Sequence, residues 1–250
     1  MDLSERGMAT ARHPWETERF RAYRRILADR GALSARRILD VGAGDGWFGE
    51  SLIADLPDVA ELVCWDINYS EQDLAAGDPR VTRTATAPAG EFGIVLLLDV
   101  LEHIADPAGF VNDELLPVVA PGTAVLVAVP AHPRLFSDHD RALGHHRRYA
   151  TRQLLADLDA WVAVIDHGPL FTSLVPVRAL AVAAEHLRRR GAPPQPVASG
   201  GHGVGRWRGG PFATRAVRAP LALDTALTRR LGPLGHRVTG LSHWAFGYIR

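Results

Sequence analysis

RILDVGAGDGWFGESL, residues 37–52, holds an apolar stretch, a glycine-rich turn and a second stretch with apolar residues at helical spacing, in that order. Its first five residues, 37–41, have the pattern of a buried β-strand. Phe48, Leu52 and Leu56 then fall on one face of a helix. The glycines between these two elements allow a tight backbone turn and leave amides at the helix N-terminus open to a ligand. We therefore expect the strand, turn and helix unit of an α/β sheet.

Strand and helix patterns alternate on both sides of this unit. Continuous apolar strands separated by helices are typical of a parallel sheet covered on both faces. We predict a doubly wound, Rossmann-like, mostly parallel sheet, with an antiparallel edge strand at the end of the chain, where the apolar pattern approximately alternates. The predicted strands are 37–41, 61–67, 80–87, 93–100, 123–130, 161–167 and 241–249, and the predicted helices are 15–30, 49–56, 111–119, 152–158, 170–190 and 219–231.

Length and composition indicate one large domain. The chain has 250 residues, of which 47% are hydrophobic and 22% charged, which argues against a disordered or fibrous protein. A single cysteine, Cys64, excludes an intramolecular disulfide, and neither a signal peptide nor a membrane-spanning segment is recognisable, so we expect a cytoplasmic protein. We divide the chain into a core with an N-terminal helix (1–168), a basic helical cap (169–240) and a returning strand (241–250).

The net charge of zero conceals a strong asymmetry. Residues 1–166 carry 16 Arg against 26 Asp and Glu, whereas residues 167–250 carry 12 Arg against two acidic residues, and the chain has no lysine. The basic part could attract an anionic substrate, rest on an anionic membrane, or pair with the acidic part of the same or a second chain. Nucleic acid is disfavoured because the basic and aromatic cluster 206–208 lacks a binding module. The glycine- and proline-rich segment 191–211 predicts a loop or cap over a site.

An acidic residue follows the glycine turn at a characteristic distance. Asp66 lies twenty residues after Gly46, at the end of the second predicted strand, where its carboxylate can accept both ribose hydroxyls of an adenosine. Because Gly44, Gly46 and Gly49 also have GxGxxG spacing, a nicotinamide dinucleotide is the alternative ligand for this turn. Asp40, two residues before the first glycine of the turn, favours S-adenosylmethionine instead, since a carboxylate there would repel a pyrophosphate.

The sequence resembles the class I S-adenosylmethionine-dependent methyltransferases over roughly residues 35–165. ILDVGAGDGWFGESL resembles their motif I, VCWDI their motif II, and LLLDVLEHIADP the segment after strand four in the ubiquinone-biosynthesis-type small-molecule branch. The resemblance implies a seven-stranded sheet and S-adenosylmethionine as cofactor. It also implies a set of cofactor-binding residues: Asp40, Gly42, Gly44 and Gly46 around the methionine end, Asp66 on the ribose, Ile67 beside the adenine, and Asp99 with Val100 on the floor.

One position departs from that pattern. The family often has an acidic residue near the adenine amine just after strand three, and here the corresponding stretch is TATAP, residues 84–88. Thr84 or Thr86 could substitute as a hydroxyl acceptor.

Asp99, Glu102 and His103 fall at i, i+3 and i+4 after the fourth strand. Three interpretations stay open for them. Glu102 could cap backbone amides beside a packed His103, His103 could face the substrate as a general base, or the three could hold a divalent ion. We assign no metal.

The segment after strand five, residues 129–154, concentrates ionisable side chains at the sheet edge where ligands bind. Substrate contact, a structural lid and metal binding are the alternatives there. We predict methylation of oxygen or carbon on a secondary metabolite, a sugar or a lipid-linked intermediate; a non-methylating enzyme or binding protein on the same scaffold and an NAD(P)-dependent oxidoreductase are the rivals. The candidate bases are His103, His139 and His145, and the candidate substrate-binding residues are Asp138, Asp140, Arg148 and Tyr149.

Overall fold

Seven strands form one sheet in the computed structural model, which describes residues 12–75, 78–189, 207, 209–231 and 239–250. Their spatial order is β3-β2-β1-β4-β5-β7-β6. The strands are β1 (Arg37–Val41), β2 (Glu61–Trp65), β3 (Val81–Thr84), β4 (Ile94–Leu98), β5 (Ala124–Pro130), β6 (Val162–Leu170) and β7 (Ser242–Ile249).

The first five strands are parallel, and β7 pairs antiparallel with both β5 and β6. The predicted mostly parallel sheet with antiparallel pairing at one edge is confirmed. The terminal strand is antiparallel as predicted, but it lies one strand in from the edge, because β6 pairs along its outer side. The side chains of β7 are nearly all buried, as an internal strand requires. The approximate alternation of its sequence predicted an edge strand, with one face exposed.

Helices cover both faces of the sheet. The predicted helix over 111–119 begins earlier, as a short α-helix that continues in π and 3-10 turns to Val118. The helix predicted over 219–231 also begins earlier, at Pro211, and contains Pro220 within it. The α-helices are α1 (Pro14–Asp29), α2 (Trp47–Ala54), α3 (Glu71–Leu74), α4 (Pro107–Phe110), α5 (Asp138–Ala142), α6 (Thr151–Asp159), α7 (Leu174–Arg189) and α8 (Pro211–Arg230).

The C-terminal part packs on the core through its two long helices. α8 lies against α1, where the Arg218 guanidinium donates to Glu18 at 2.6 Å. The amide and hydroxyl of Ser173 donate to Asp224, which links the start of α7 to α8. The predicted cap segment 191–211 lies mostly outside the described residues. Among the helices that the structure describes, none is long and apolar enough to span a membrane.

The first turn of α2 is packed tightly against the sheet. A Cβ atom added at Gly49 would lie 2.7 Å from Leu62 Cδ2 and 3.1 Å from Asp40 Oδ2. Leu62 is fully buried and cannot move away. Gly49 therefore allows α2 to approach β1 and β2, which brings the helix N-terminus to the glycine turn.

We predict that Gly49→Ala lowers the free energy of unfolding. Overpacking costs about 1–3 kcal/mol, which exceeds the gain of about 0.5–1 kcal/mol from replacing a helical glycine by alanine. Thermal melts of the two proteins measure the difference. Ser51→Ala in the same helix is the control, and its free energy of unfolding should change by no more than about 0.5 kcal/mol. An unchanged melting temperature in Gly49→Ala would contradict the tight packing.

Candidate active site

A cavity of about 1160 Å³ opens where β1, β2, β4 and β5 end. Since parallel strands bring their carboxyl ends to one edge, the turns that follow them converge there. The volume exceeds the roughly 300–1,000 Å³ of a common small-molecule pocket. Side chains from α1, from the segment after β5 and from α7 complete the walls, including Trp15, Arg19, His139, Arg148 and Arg178.

The glycine turn after β1 has the backbone that its sequence predicts. Gly42, Gly44 and Gly46 all have positive φ, at 60°, 58° and 76°. A Cβ at Gly42 would lie 2.8 Å from Val100 Cγ2, so a side chain at position 42 would collide with the turn that follows β4. The Gly42 amide donates to the Trp65 carbonyl at 2.7 Å, which fixes the turn to the end of β2.

Asp66 lies beside this turn and lines the cavity. Its Oδ2 accepts a hydrogen bond from the Gly44 amide at 2.9 Å, and its Oδ1 accepts from the Asn68 amide at 2.9 Å. These bonds hold the carboxylate at the cavity wall. Ile67 follows it and is largely exposed in the same wall.

Asp40 lies behind the turn, buried beside α2. Burial raises the pKa of Asp40 to about 7, with the nearby carboxylates of Asp45 and Asp66 adding to the effect. A bound cation would favour its ionised form.

Asp99, at the end of β4, has a φ of 58°, a conformation that is strained for a residue with a side chain and recurs at ligand sites. Arg19 of α1 forms an ion pair with Asp99, and its guanidinium lies 4.3 Å from the centroid of the Trp15 ring. α1 therefore closes one side of the cavity over the end of β4.

Glu102 is a buried carboxyl group at the cavity wall. It has no exposed surface, and within the described residues neither of its carboxylate oxygens is hydrogen-bonded to another residue. Burial raises the pKa of Glu102 to about 8. At neutral pH the group is largely protonated, so it can donate a hydrogen bond into the cavity.

The Asp140 carboxylate joins the segment after β5 to α7. Oδ1 accepts from Arg148 Nε at 2.7 Å and lies 3.3 Å from His145 Nδ1, while Oδ2 accepts from Arg178 Nη2 at 2.7 Å and from the Ser137 amide at 2.9 Å. Burial alone would raise the pKa of Asp140, but the His145 hydrogen bond and the two arginine charges together lower it. Asp140 is therefore a fully buried anion that positions three cavity side chains.

Two histidines meet between the turns after β4 and β5. The His103 and His145 rings are edge to face, with centroids 4.5 Å apart. Backbone contacts fix this approach: the His146 amide donates to the Glu102 carbonyl at 2.7 Å, and Arg147 donates to the Ala105 carbonyl at 2.6 Å.

The same turns could hold a divalent ion. Glu102, His103 and His145 each offer a ligand atom within 4.8 Å of the others. Asp99, which the spacing grouped with Glu102 and His103, is paired with Arg19 instead. His145 takes its place because the segment after β5 folds back over the turn after β4.

Residues 15–186 match the sequence profile described as "Methyltransferase domain", which is more than half of the chain. The chain belongs to the methyltransferase-domain family. The predicted resemblance to class I S-adenosylmethionine-dependent methyltransferases is thus confirmed, and S-adenosylmethionine is the cofactor that this family uses.

Individual relatives match a smaller part of the chain. The ubiquinone biosynthesis O-methyltransferase of Psychrobacter cryohalolentis is 29% identical over 116 residues, which cover 42% of this chain and 45% of the relative. That of Bordetella bronchiseptica is 32% identical over 96 residues, or 33% and 38% of the two chains. The match therefore spans less than half the length of these relatives. A structure assigned as a sarcosine dimethylglycine methyltransferase, from Galdieria sulphuraria, has a TM-score of 0.50 at 12% identity and covers 94% of this chain and 85% of that one, a likeness of fold.

The predicted cofactor residues fall into two groups. Gly42, Asp66, Ile67, Asp99 and Val100 line the cavity directly. Asp40, Gly44 and Gly46 shape and support the turn from behind. Thr84, the last residue of β3, donates from its hydroxyl to the Thr86 carbonyl at 2.8 Å, and neither threonine lines the cavity.

The predicted acceptor residues also divide. His103, His139, His145, Asp140 and Arg148 are at the cavity wall. Tyr149 is packed in the core, where its hydroxyl donates to the Leu101 carbonyl at 3.3 Å, and Asp138 pairs with Arg141 on the outer side of α5.

Arg19 and Arg178 were missed as site residues. Both come from helices whose sequence pattern predicts packing and carries no ligand motif. In α7, Arg178 stands out only as a charge within an apolar stretch, and its partner Asp140 lies 38 residues earlier.

We predict that Glu102→Gln removes a pH-dependent loss of stability. The unfolded chain ionises Glu102 near its ordinary pKa of 4.5, whereas the folded protein ionises it at about 8, so the wild type loses stability as the pH rises through this window. The variant gains on the order of a few kcal/mol over the wild type across that range. Thermal melts with chelator at several pH values test this, and a constant difference between the two proteins would show that Glu102 is ionised when folded.

Proposed function

We propose that this chain transfers a methyl group from S-adenosylmethionine to an oxygen or carbon nucleophile of a small molecule. The observation that carries the proposal is the shared cavity. A glycine turn flanked by Asp66 and Asp99 forms one half, and His103, His139 and His145 line the other. One cavity can therefore bind a donor and place an acceptor next to it.

The donor half suits a ligand with a ribose and a positive charge. In this proposal Asp66 accepts the ribose hydroxyls, and Ile67 offers an apolar surface for the adenine. Asp66 lies beside the turn, and a bound cation would favour the ionised form of the buried Asp40, so the turn favours an ammonium and a sulfonium over a pyrophosphate. Asp99 is paired with Arg19. When bound, S-adenosylmethionine supplies an electrophilic methyl carbon.

The acceptor half must align a nucleophile with that carbon and take up its proton. His103 is the best placed base because it is exposed at the cavity wall. His145 packs edge-on against the His103 ring, and Asp140 positions His145, so both are positioning residues. His139 is the second candidate, although its burial, together with the Arg178 charge, lowers its pKa.

The charge of the acceptor half favours an anionic acceptor. Two guanidinium groups, Arg148 and Arg178, share the single carboxylate of Asp140 and line the cavity. One positive charge is left in excess, which a carboxylate or phosphate on the acceptor would balance. Helix α7, within the predicted segment 169–240, thus contributes to acceptor choice. The cytoplasmic location and the division into domains remain predictions.

We predict that Asp66→Ala weakens binding of S-adenosylhomocysteine about 10- to 100-fold, since two charge-assisted hydrogen bonds to the ribose are lost. Titration calorimetry measures the affinity. Asp159→Ala is the matched control because Asp159 is exposed, away from the cavity, and should bind as the wild type does. Equal affinities in Asp66→Ala and the wild type would remove Asp66 from the donor site.

We predict that His103→Ala lowers the methylation rate about 10²- to 10⁴-fold, the range of a lost general base, while leaving S-adenosylhomocysteine affinity unchanged. His145→Ala should lower the rate less. Transfer of labelled methyl groups to hydroxylated, anionic and lipid-linked acceptors gives the readout. Wild-type rates in both variants, with a loss in His139→Ala, would move the base to His139. Donor binding without transfer to any acceptor would favour the non-methylating scaffold.

A further inference from the structure

Helices α7 and α8 expose apolar faces that none of the described residues covers. In α7, Val177, Leu180 and Leu187 recur at helical spacing and are 62%, 72% and 68% exposed. In α8, Phe212, Leu223 and Leu227 do the same, at 88%, 60% and 50%. Isolated exposed apolar residues are ordinary, but two helices each with an apolar stripe indicate a contact surface.

The opposite faces of the same helices hold the fold together. Val182 and Leu221 are buried in the protein, and Arg178 and Arg218 make ion pairs with core residues. Each helix therefore packs one face on the core and directs a second apolar stripe, bordered by charged residues, away from it.

The charge around these stripes has one sign. Arg188, Arg215 and Arg230 are exposed. The acidic residues described in α7 and α8 are Glu185 and Asp224, and both are directed inward, where Glu185 accepts from the Asp138 amide and Asp224 from Ser173. The outer faces thus combine leucine, valine and phenylalanine with arginine, the composition of helices that lie in the interface of an anionic bilayer.

A second copy of the chain fits this surface less well. A two-fold dimer places the same patch on both sides of the interface, so a patch whose exposed charges are all arginine would meet a second patch of the same sign. Anionic lipid headgroups supply the opposite charge around an apolar interior and match both features.

We propose that the outer faces of α7 and α8 dock on an anionic lipid bilayer. The helices lie in the headgroup region, with the apolar stripes inserted and the arginines on the phosphates. Because Arg178 on the inner face of α7 lines the cavity, the cavity then lies about 10 Å, one helix diameter, from the bilayer. The proposal does not depend on methyl transfer, since docking requires neither donor nor acceptor.

Vesicle flotation of the full chain tests the proposal. We expect binding to phosphatidylcholine vesicles that contain phosphatidylglycerol, and weak binding to phosphatidylcholine alone. Leu180→Ser/Leu187→Ser and Leu223→Ser/Leu227→Ser should each weaken partitioning about tenfold or more. Arg188→Ser/Arg215→Ser should weaken it about tenfold on the anionic vesicles.

Ile165→Ser is the matched control, because Ile165 is 54% exposed on β6, outside the two helices. It should bind vesicles as the wild type does, and thermal melts show that all variants fold. Failure of the wild type to bind anionic vesicles would overturn the proposal, as would wild-type binding in the leucine variants. Light scattering that shows a wild-type dimer, lost in the leucine variants without any vesicle binding, would assign the surface to a second copy and also overturn it.

Discussion

Four parallel strands, β1, β2, β4 and β5, end at one edge of the sheet, and every part of the site depends on that alignment. Each strand is followed by a turn with its own side chains: the glycine turn, Asp66, the pair Glu102 and His103, and the segment with His145. None of these turns would form a site alone. Their convergence follows from backbone pairing, which fixes where each strand ends.

Within this frame, electrostatics divides the cavity. Asp40 and Asp66 lie at the glycine turn, and Asp99 is paired there with Arg19. The imidazoles lie on the opposite side, where Asp140 holds Arg148 and Arg178 together. Removal of the Asp140 charge would leave two buried cations side by side, which is why this carboxylate is ionised despite its burial. In the proposed reaction, this separation of charge would direct a positively charged donor and a negatively charged acceptor to adjacent positions.

The sequence alone predicted the β-strands and the glycine turn after β1, because both depend on local signals. A buried strand followed by glycines at fixed spacing specifies its own turn, and Asp66 follows at a known distance. The rest of the cavity wall depends on contacts across long stretches of chain, such as Arg19 with Asp99 and Arg178 with Asp140. No spacing rule relates those partners, and the burial that makes Glu102 a neutral acid is a property of the packed structure. For the same reason Tyr149, predicted to bind substrate, is found in the core.

Titration calorimetry of the wild-type protein with S-adenosylmethionine, S-adenosylhomocysteine, NADH and NADPH in parallel tests the central claim most directly. The arrangement of Asp40, Asp66 and Asp99 around the glycine turn predicts roughly micromolar binding of the two sulfur ligands and no binding of the dinucleotides. Binding of NADH or NADPH in place of the sulfur ligands would contradict the assignment of the donor half and, with it, the proposed methyl transfer.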